Sequence, residues 1–263
     1  TKTPTFTMNS AGVGVTTITG SDGDDTLRGD AASTINGGAG IDTIIGGTGN
    51  DTLNGGAGND TITTNTGNDT VDGGAGDDVV NMDGNLTGDD TVAGGDGTDT
   101  IAIDAAARAI TAAGVSSFEV LRFDTAALDQ NMVNFTANTT FTKLVNNVEG
   151  ANSVTNVSNT VTDLTALNGT TTLGFDRLVD GATNALTFGA ATDAATTITT
   201  LTANDEETLT IDDGAIDSAL NLVIGTLNAE DLVTLNITGV ANVEITGAIA
   251  AQTVATLTTV NAA

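Results

Sequence analysis

A nine-residue period between positions 20 and 102 limits this chain more than any other feature of its sequence. Aligned on its aspartates, the unit reads Gly-Gly-x-Gly-x-Asp-x-(apolar)-x. The stretches 37–45, 46–54, 55–63, 73–81 and 94–102 match it at every fixed position. Units 20–28, 64–72 and 85–93 keep the fourth-position Gly, the Asp and the apolar residue. Unit 29–36 is one residue short and has no turn Asp, and residues 82–84 are inserted between units. Glycines in the first six positions supply turn conformations with positive φ at little steric cost. The last three positions place one apolar residue between Thr or Asn neighbours, the pattern of a very short strand. Turn and strand alternating at a fixed period predict a solenoid with two thin parallel sheets and about 18 residues per coil. Leu27, Ile44, Ile62, Val80 and Ile101 then stack in one apolar column, and Ile35, Leu53, Val71 and Val92 in the other.

Charge adds a second constraint. Residues 20–104 hold 17 of the 28 Asp, no Glu and one cation, Arg28, for a net charge of -16 in 85 residues. Such a density normally keeps a chain disordered, so something must neutralise it. The turn aspartates suggest what. Turns i and i+2 lie on the same edge, about 4.8 Å apart. That aligns Asp25, Asp42, Asp60, Asp78 and Asp99 in one row and Asp51, Asp69 and Asp90 in the other. Carboxylates stacked beside glycine carbonyls form an all-oxygen cage suited to Ca²⁺, whereas Mg²⁺ demands a tighter octahedron and keeps its water. Six gaps have Asp on both sides, so about six Ca²⁺ would bring +12 against -16. The fifth-position acids Asp24, Asp77 and Asp89 are expected to point outward and serve solubility.

This segment resembles the RTX (repeats-in-toxin) parallel β-roll of Gram-negative proteins exported by type I secretion. The resemblance implies that each Ca²⁺ takes the Asp of both turns, with carbonyls from positions two and four of one turn and one and three of the turn two units later. Carried onto this sequence, one site uses Gly38, Gly40 and Asp42 with Gly55, Ala57 and Asp60. The next uses Gly56, Gly58 and Asp60 with Gly73, Ala75 and Asp78, and the one after it Gly74, Gly76 and Asp78 with Gly94, Asp96 and Asp99. The first gap uses Gly23 and Asp25 with Gly37, Ala39 and Asp42. On the other edge Gly47, Gly49 and Asp51 face Thr64, Thr66 and Asp69, and Gly67 and Asp69 face Asp90. Two departures stand out: unit 29–36 breaks the second row, and the 82–84 insertion threatens the Asp78–Asp99 pair.

Beyond residue 104 the composition turns to Ala, Thr, Val, Leu and Asn. Alanines predict a short helix over 104–113. Apolar β-type clusters follow at 118–123, 141–145, 161–167, 185–188, 208–211, 232–237 and 254–260. Leu121, Leu144 and Leu167 are 23 residues apart, as are Leu186 and Leu209, which predicts a wider β-solenoid; a leucine-rich repeat or a β-sandwich are the alternatives. The expected organisation is an N-terminal strand or linker (1–19), the calcium-binding roll (20–103) and a Thr/Ala-rich β-solenoid (104–263), all-β throughout. The chain starts at Thr1 without Met, so a fragment is expected.

Function is narrowed by what the sequence lacks. Without His or Cys there is no Ser-His or Cys-His nucleophile pair, no His-ligated zinc and no disulfide, and no enzyme is expected. A net charge of -28 repels nucleic acid and anionic lipid, and no apolar run of membrane-spanning length occurs. Arg122, Lys143 and Arg177 read first as local partners of Glu119, Glu149 or Asp176. The sharper alternative is contact with an acidic cell-surface polysaccharide. The whole chain is similar to RTX-type surface-layer (S-layer) proteins in its Ala/Thr/Asn/Gly/Val richness, scarce Lys and missing Cys and His. That resemblance implies a structural protein on the surface of a Gram-negative bacterium, secreted by the type I machinery, folding on Ca²⁺ and assembling with itself into a two-dimensional lattice. The alternative is an RTX adhesin or toxin C-terminal module, in which the roll only drives calcium-dependent folding. An adhesin surface usually carries Tyr or Trp, and this chain has neither.

Overall fold

The computed structural model describes residues 16–103 without a break, together with 7–9, 112, 114–124, 129–131, 135, 137–147, 150–158, 160–166, 170–177, 185–190, 196–203, 206, 208–212, 221–229, 232–238, 242–247, 249–250 and 259–262. Every regular element among them is a strand, so none of the described residues forms a helix long enough to cross a membrane. The helix expected over 104–113 falls almost wholly outside the described residues. The fold is an all-β parallel solenoid, in two compact units. One comprises 1–105, 110–122 and 134–141, and the other 106–109, 123–133 and 142–263.

The first unit contains β1 (Thr7–Asn9), β2 (Thr17–Thr19), β3 (Thr26–Arg28), β4 (Thr34–Ala39), β5 (Thr43–Thr48), β6 (Thr52–Ala57), β7 (Thr61–Thr66), β8 (Thr70–Ala75), β9 (Val79–Asn81), β10 (Thr91–Asp96), β11 (Thr100–Ile103), β12 (Val115–Ser116) and, up to Arg122, β13 (Val120–Phe123). Odd-numbered strands pair in one sheet and even-numbered strands in the other. The period sets the register. Leu27 lies beside Ile44, Ile44 beside Ile62, Ile62 beside Val80, and Val80 beside Ile101. Opposite, Ile35, Leu53, Val71 and Val92 align in turn, with Ile18 extending the column by one coil. All ten side chains are buried, while most of the Thr residues just before them are exposed. One apolar residue per strand is a thin core, so the turns must contribute to stability.

They do so by close approach. A β-carbon on Gly55 would overlap both Asp60 Oδ2 and the Gly73 carbonyl oxygen. The neighbouring Gly56 has φ +112°, a conformation that side chains resist, and a β-carbon there would strike the Gly38 carbonyl. At these two positions glycine is what lets successive turns stack at strand spacing.

In the second unit β14 (Asp129–Asn131), β16 (Gly150–Val157), β18 (Thr170–Arg177), β20 (Thr196–Ala203), β22 (Asn221–Asn228) and β24 (Asn242–Ile245) pair in order, with β25 (Ile249–Ala250) also on β22. Their counterparts are β15 (Lys143–Asn146), β17 (Asp163–Ala166), β19 (Ala185–Ala190), β21 (Thr208–Asp212), β23 (Thr234–Thr238) and β26 (Thr259–Ala262). This parallel arrangement rules out the β-sandwich. Leu186 does pair with Leu209, as the 23-residue step predicts. Leu144, however, pairs with Leu164 rather than Leu167. Coils here advance by 20 to 28 residues, because loops of unequal length join the strands, and β16–β18 and β18–β20 each carry a register shift. A constant leucine spacing therefore misplaces individual partners. Of the cations, Arg122 donates from Nη2 to Asn81 Oδ1 at 3.2 Å. The side chains of Arg177, Glu149 and Asp176 lie outside the described residues.

Candidate metal centre

Each turn Asp immediately precedes the residue that opens a strand, and Asp42, Asp51, Asp60, Asp78 and Asp99 each follow a strand with a buried glycine at its fourth position. The result is a rung on each coil. Asp25 N–H donates to Asp42 Oδ1 at 2.7 Å, Asp42 N–H to Asp60 Oδ1 at 2.8 Å, Asp60 N–H to Asp78 Oδ1 at 2.7 Å, and Asp78 N–H to Asp99 Oδ1 at 2.8 Å. On the other edge Asp51 N–H donates to Asp69 Oδ1 at 2.9 Å and Asp69 N–H to Asp90 Oδ1 at 2.7 Å. In the short unit Ser33 fills the Asp slot. Its N–H donates to Asp51 Oδ1 at 2.7 Å and its hydroxyl to the Ala31 carbonyl at 2.6 Å. The insertion leaves the Asp78–Asp99 rung intact, because the extra residues are taken up within the turn before Asp90 while Thr100 stays beside Val79.

The second oxygen of each carboxylate tells more. Asp42, Asp51, Asp60, Asp69, Asp78 and Asp99 are buried, and Oδ2 of each has no hydrogen-bond partner. A buried ionised oxygen without a partner is costly, so such groups are paired or bind metal. The two row ends at Asp25 and Asp90 differ. Asp25 Oδ2 accepts from Ser21 N–H at 2.5 Å and Ser21 Oγ at 3.0 Å. Asp90 Oδ2 accepts from Thr87 N–H at 2.7 Å and Thr87 Oγ1 at 3.0 Å.

Carbonyls surround the orphaned oxygens. Asp60 Oδ2 and the Gly73 carbonyl converge beside the Cα of Gly55; Asp42 Oδ2 and the Gly55 carbonyl do the same at Gly37, and Asp78 Oδ2 and the Gly94 carbonyl at Gly73. Asp51 Oδ2 and the Thr64 carbonyl meet at Gly46. The position-two and position-four carbonyls of Gly38, Gly40, Gly56, Gly58, Gly74 and Gly76, and that of Gly49, face the next turn on their edge. The position-three carbonyls of Ala57, Thr66, Ala75 and Asp96 already accept N–H groups from Gly40, Gly49, Gly58 and Gly76, so each offers a metal only its second lone pair. Gly23 and Gly47 line the same turn stacks. Ala39 N–H donates to the Ser21 carbonyl, and Gly67 lies over the Gly49 carbonyl. No group of three or more His, Cys, Asp or Glu side chains forms among the described residues, so each gap offers two carboxylates and takes its remaining donors from backbone. An all-oxygen donor set with two carboxylates fits a hard divalent ion of the size of Ca²⁺. Bound there, the ion supplies positive charge where the protein has only negative charge. Asp42 and Asp60, with Gly38, Gly40 and Gly55, would hold one such ion.

Sequence reading missed the role of the fifth position. Asp24 Oδ1 accepts from Ile41 N–H at 2.9 Å, Asn50 from Asn68 N–H at 3.0 Å, Asn59 from Asp77 N–H at 3.0 Å, and Asp77 from Thr98 N–H at 2.8 Å. These exposed residues form an outer hydrogen-bond ladder rather than serving solubility alone. The signal was present, since units 20–28, 46–54, 55–63, 64–72, 73–81 and 85–93 all carry Asp or Asn there.

Electrostatics follow from burial. Desolvation pushes Asp51, Asp60 and Asp99 up to about 6 and also raises Asp42, Asp69 and Asp78, partly offset by the N–H from the preceding coil. Without metal the folded roll therefore binds more protons than the unfolded chain, whose aspartates titrate near 3.8. Stability from these groups is present below that value and is lost as pH rises through about 6. Calcium-free protein is expected to gain far-UV β signal when acidified from pH ~7.5 to ~4. An unchanged spectrum across that range would contradict the buried, metal-free carboxylates.

Residues 10–44, 29–62, 55–84 and 86–102 match the family described as RTX calcium-binding nonapeptide repeat (4 copies). The chain thus carries RTX calcium-binding repeats over about a third of its length. No curated protein matches it.

Proposed function

We propose that this chain is a secreted structural protein whose roll folds around Ca²⁺ outside the cell and whose subunits self-assemble into a surface lattice, as S-layer proteins do. The repeats themselves imply a calcium-binding, secreted RTX-type protein. The observation that carries the calcium-gated part is the set of six buried carboxylate oxygens without hydrogen-bond partners, stacked along the turn edges. Folding such a stack at neutral pH requires cations. At the sub-micromolar Ca²⁺ of a cytosol the segment stays expanded and can thread a type I secretion channel; millimolar Ca²⁺ outside folds it. The structural part rests on composition. A chain with no His and no Cys offers few catalytic groups, and one with no Trp or Tyr lacks the usual anchors of a ligand-binding surface. Its scarce cations, Arg122 and Lys143 among them, are the groups that an acidic surface polysaccharide would engage.

Negative-stain electron microscopy of the full chain with and without millimolar Ca²⁺ tests this reading. Ordered sheets that appear only with Ca²⁺ are the expected result. Monodisperse particles that merely compact would overturn the lattice and favour an adhesin or toxin module whose roll serves folding alone.

A further inference from the structure

The two rows of turn acids end differently. In the second row the last acid, Asp90, has its Oδ2 closed off by the N–H and hydroxyl of Thr87. In the first row the last repeat acid, Asp99, is fully buried, and its Oδ2 has no hydrogen-bond partner. Its Oδ1 is committed to Asp78 N–H, so the Asp78–Asp99 gap leaves Oδ2 unused. That oxygen faces onward. It lies beside the Cα of Gly94 together with the carbonyl of Ser117, as Asp60 Oδ2 and the Gly73 carbonyl lie beside Gly55 one coil pair earlier. The next rung exists. Asp99 N–H donates to Glu119 Oε2 at 2.9 Å, the bond that every earlier rung makes to an Asp Oδ1. Glu119 precedes β13 as each turn Asp precedes its strand, and Glu119 and Val120 N–H both reach the Asp99 carbonyl.

We infer that the gap between Asp99 and Glu119 is a further Ca²⁺ site, one coil beyond the repeats, held by Asp99 Oδ2, the Glu119 carboxylate and the Ser117 carbonyl. Gly95 and Gly97, with φ +119° and +143°, keep the turn conformation of Gly74 and Gly76, so their carbonyls complete the donor set. The turn at 117–119 is shorter than a repeat turn and brings no position-three carbonyl. Glu reaches across it with one methylene more than Asp. The row stops there for a visible reason. On the following coil the neutral, buried Asn138 takes Phe118 N–H on its Oδ1 at 2.8 Å and donates from Nδ2 to the Phe118 carbonyl at 2.9 Å. An amide satisfied in both directions leaves no charge for another ion to balance. The roll therefore closes with a metal on one edge and hydrogen-bonded caps on the other.

This inference rests on the calcium reading of the repeats, and the test separates the two. Native mass spectrometry of the full chain, titrated with Ca²⁺, counts bound ions for wild type and Glu119→Gln, which keeps one carbonyl acceptor for Asp99 N–H and replaces the charged carboxylate with a neutral amide. At the Ca²⁺ concentration that just saturates wild type, E119Q is expected to bind one ion fewer with an unchanged far-UV spectrum. An equal count in folded E119Q would overturn the site. Anomalous diffraction from Ca²⁺-grown crystals of the wild-type chain decides the matter even if E119Q fails to fold. A peak beside Asp99 Oδ2 and Ser117 O is expected. Peaks at the Asp42–Asp60 gap with none here would overturn this site alone, and wild type that binds no Ca²⁺ would overturn the parent reading with it.

Discussion

Chelating Ca²⁺ at pH ~7.5 is expected to unfold residues 16–103 of the full chain, read as lost far-UV β signal and new cleavage by a broad-specificity protease mapped to that segment. Two structural facts make the effect large. Most strands of the roll bury a single apolar side chain, and the roll stacks carboxylates in two rows within residues 20–104, of net charge -16. Extracellular calcium modules bind with Kd of ~10⁻⁴–10⁻³ M. At ~2 mM Ca²⁺ each site then contributes roughly 0.6–1.8 kcal/mol by mass action. About six such sites supply roughly 4–11 kcal/mol, comparable with the whole stability of an ordinary domain. The dependence on Ca²⁺ should also be steep, because adjacent ions share one Asp. If protease resistance over 16–103 were equal in chelator and in millimolar Ca²⁺, the calcium-gated fold would be refuted.

The second large effect separates two aspartates that look alike in sequence. Asp60 borders two gaps: its Oδ1 receives Asp42 N–H, and its orphaned Oδ2 faces the Gly73 carbonyl. Asp60→Ala removes a charge from both gaps and leaves Asp42 N–H buried without its acceptor, which costs about 1–3 kcal/mol before any metal is lost. Asp25 borders only the first gap, and no coil before it donates to its Oδ1 through an aspartate N–H. Its Oδ2 is already satisfied by Ser21. Asp25→Ala is expected to shift the Ca²⁺ midpoint for folding by less than about threefold, and Asp60→Ala by tenfold or more, since about 1.4 kcal/mol is a factor of ten. Calcium titrations followed by circular dichroism measure both. Equal shifts would mean that the stacked geometry does not govern binding.

Both effects depend on a geometry that the sequence makes readable over 20–102. There the period fixes strand, register and turn together, because a one-residue slip would move a β-branched or leucine side chain out of the core and an Asp out of its row. Hence Ile44 lies beside Ile62 and Asp42 beneath Asp60 as the spacing requires. Spacing fails where loops vary. Leu144 finds Leu164 and not Leu167, since in the wider coils loop length drifts from one coil to the next. Capping is equally illegible. Ser21 and Thr87 are ordinary turn residues that no motif singles out, and only their placement against Asp25 and Asp90 makes them caps.

The sequence by itself determined a parallel roll with two apolar columns and two rows of aspartates, because each nine-residue unit repeats one local conformation and identical conformations can only stack. It also determined the chemistry, an excess of carboxylates over cations that only bound positive charge can offset. Tertiary structure decided where the rows begin and end. Glu119 lies 20 residues past Asp99 with no repeat leading to it, and it becomes the next rung only because β13 follows β11 in the same parallel sheet. Which Oδ2 atoms are capped and which are left for a cation depends on contacts between coils, and no pattern within one coil records them.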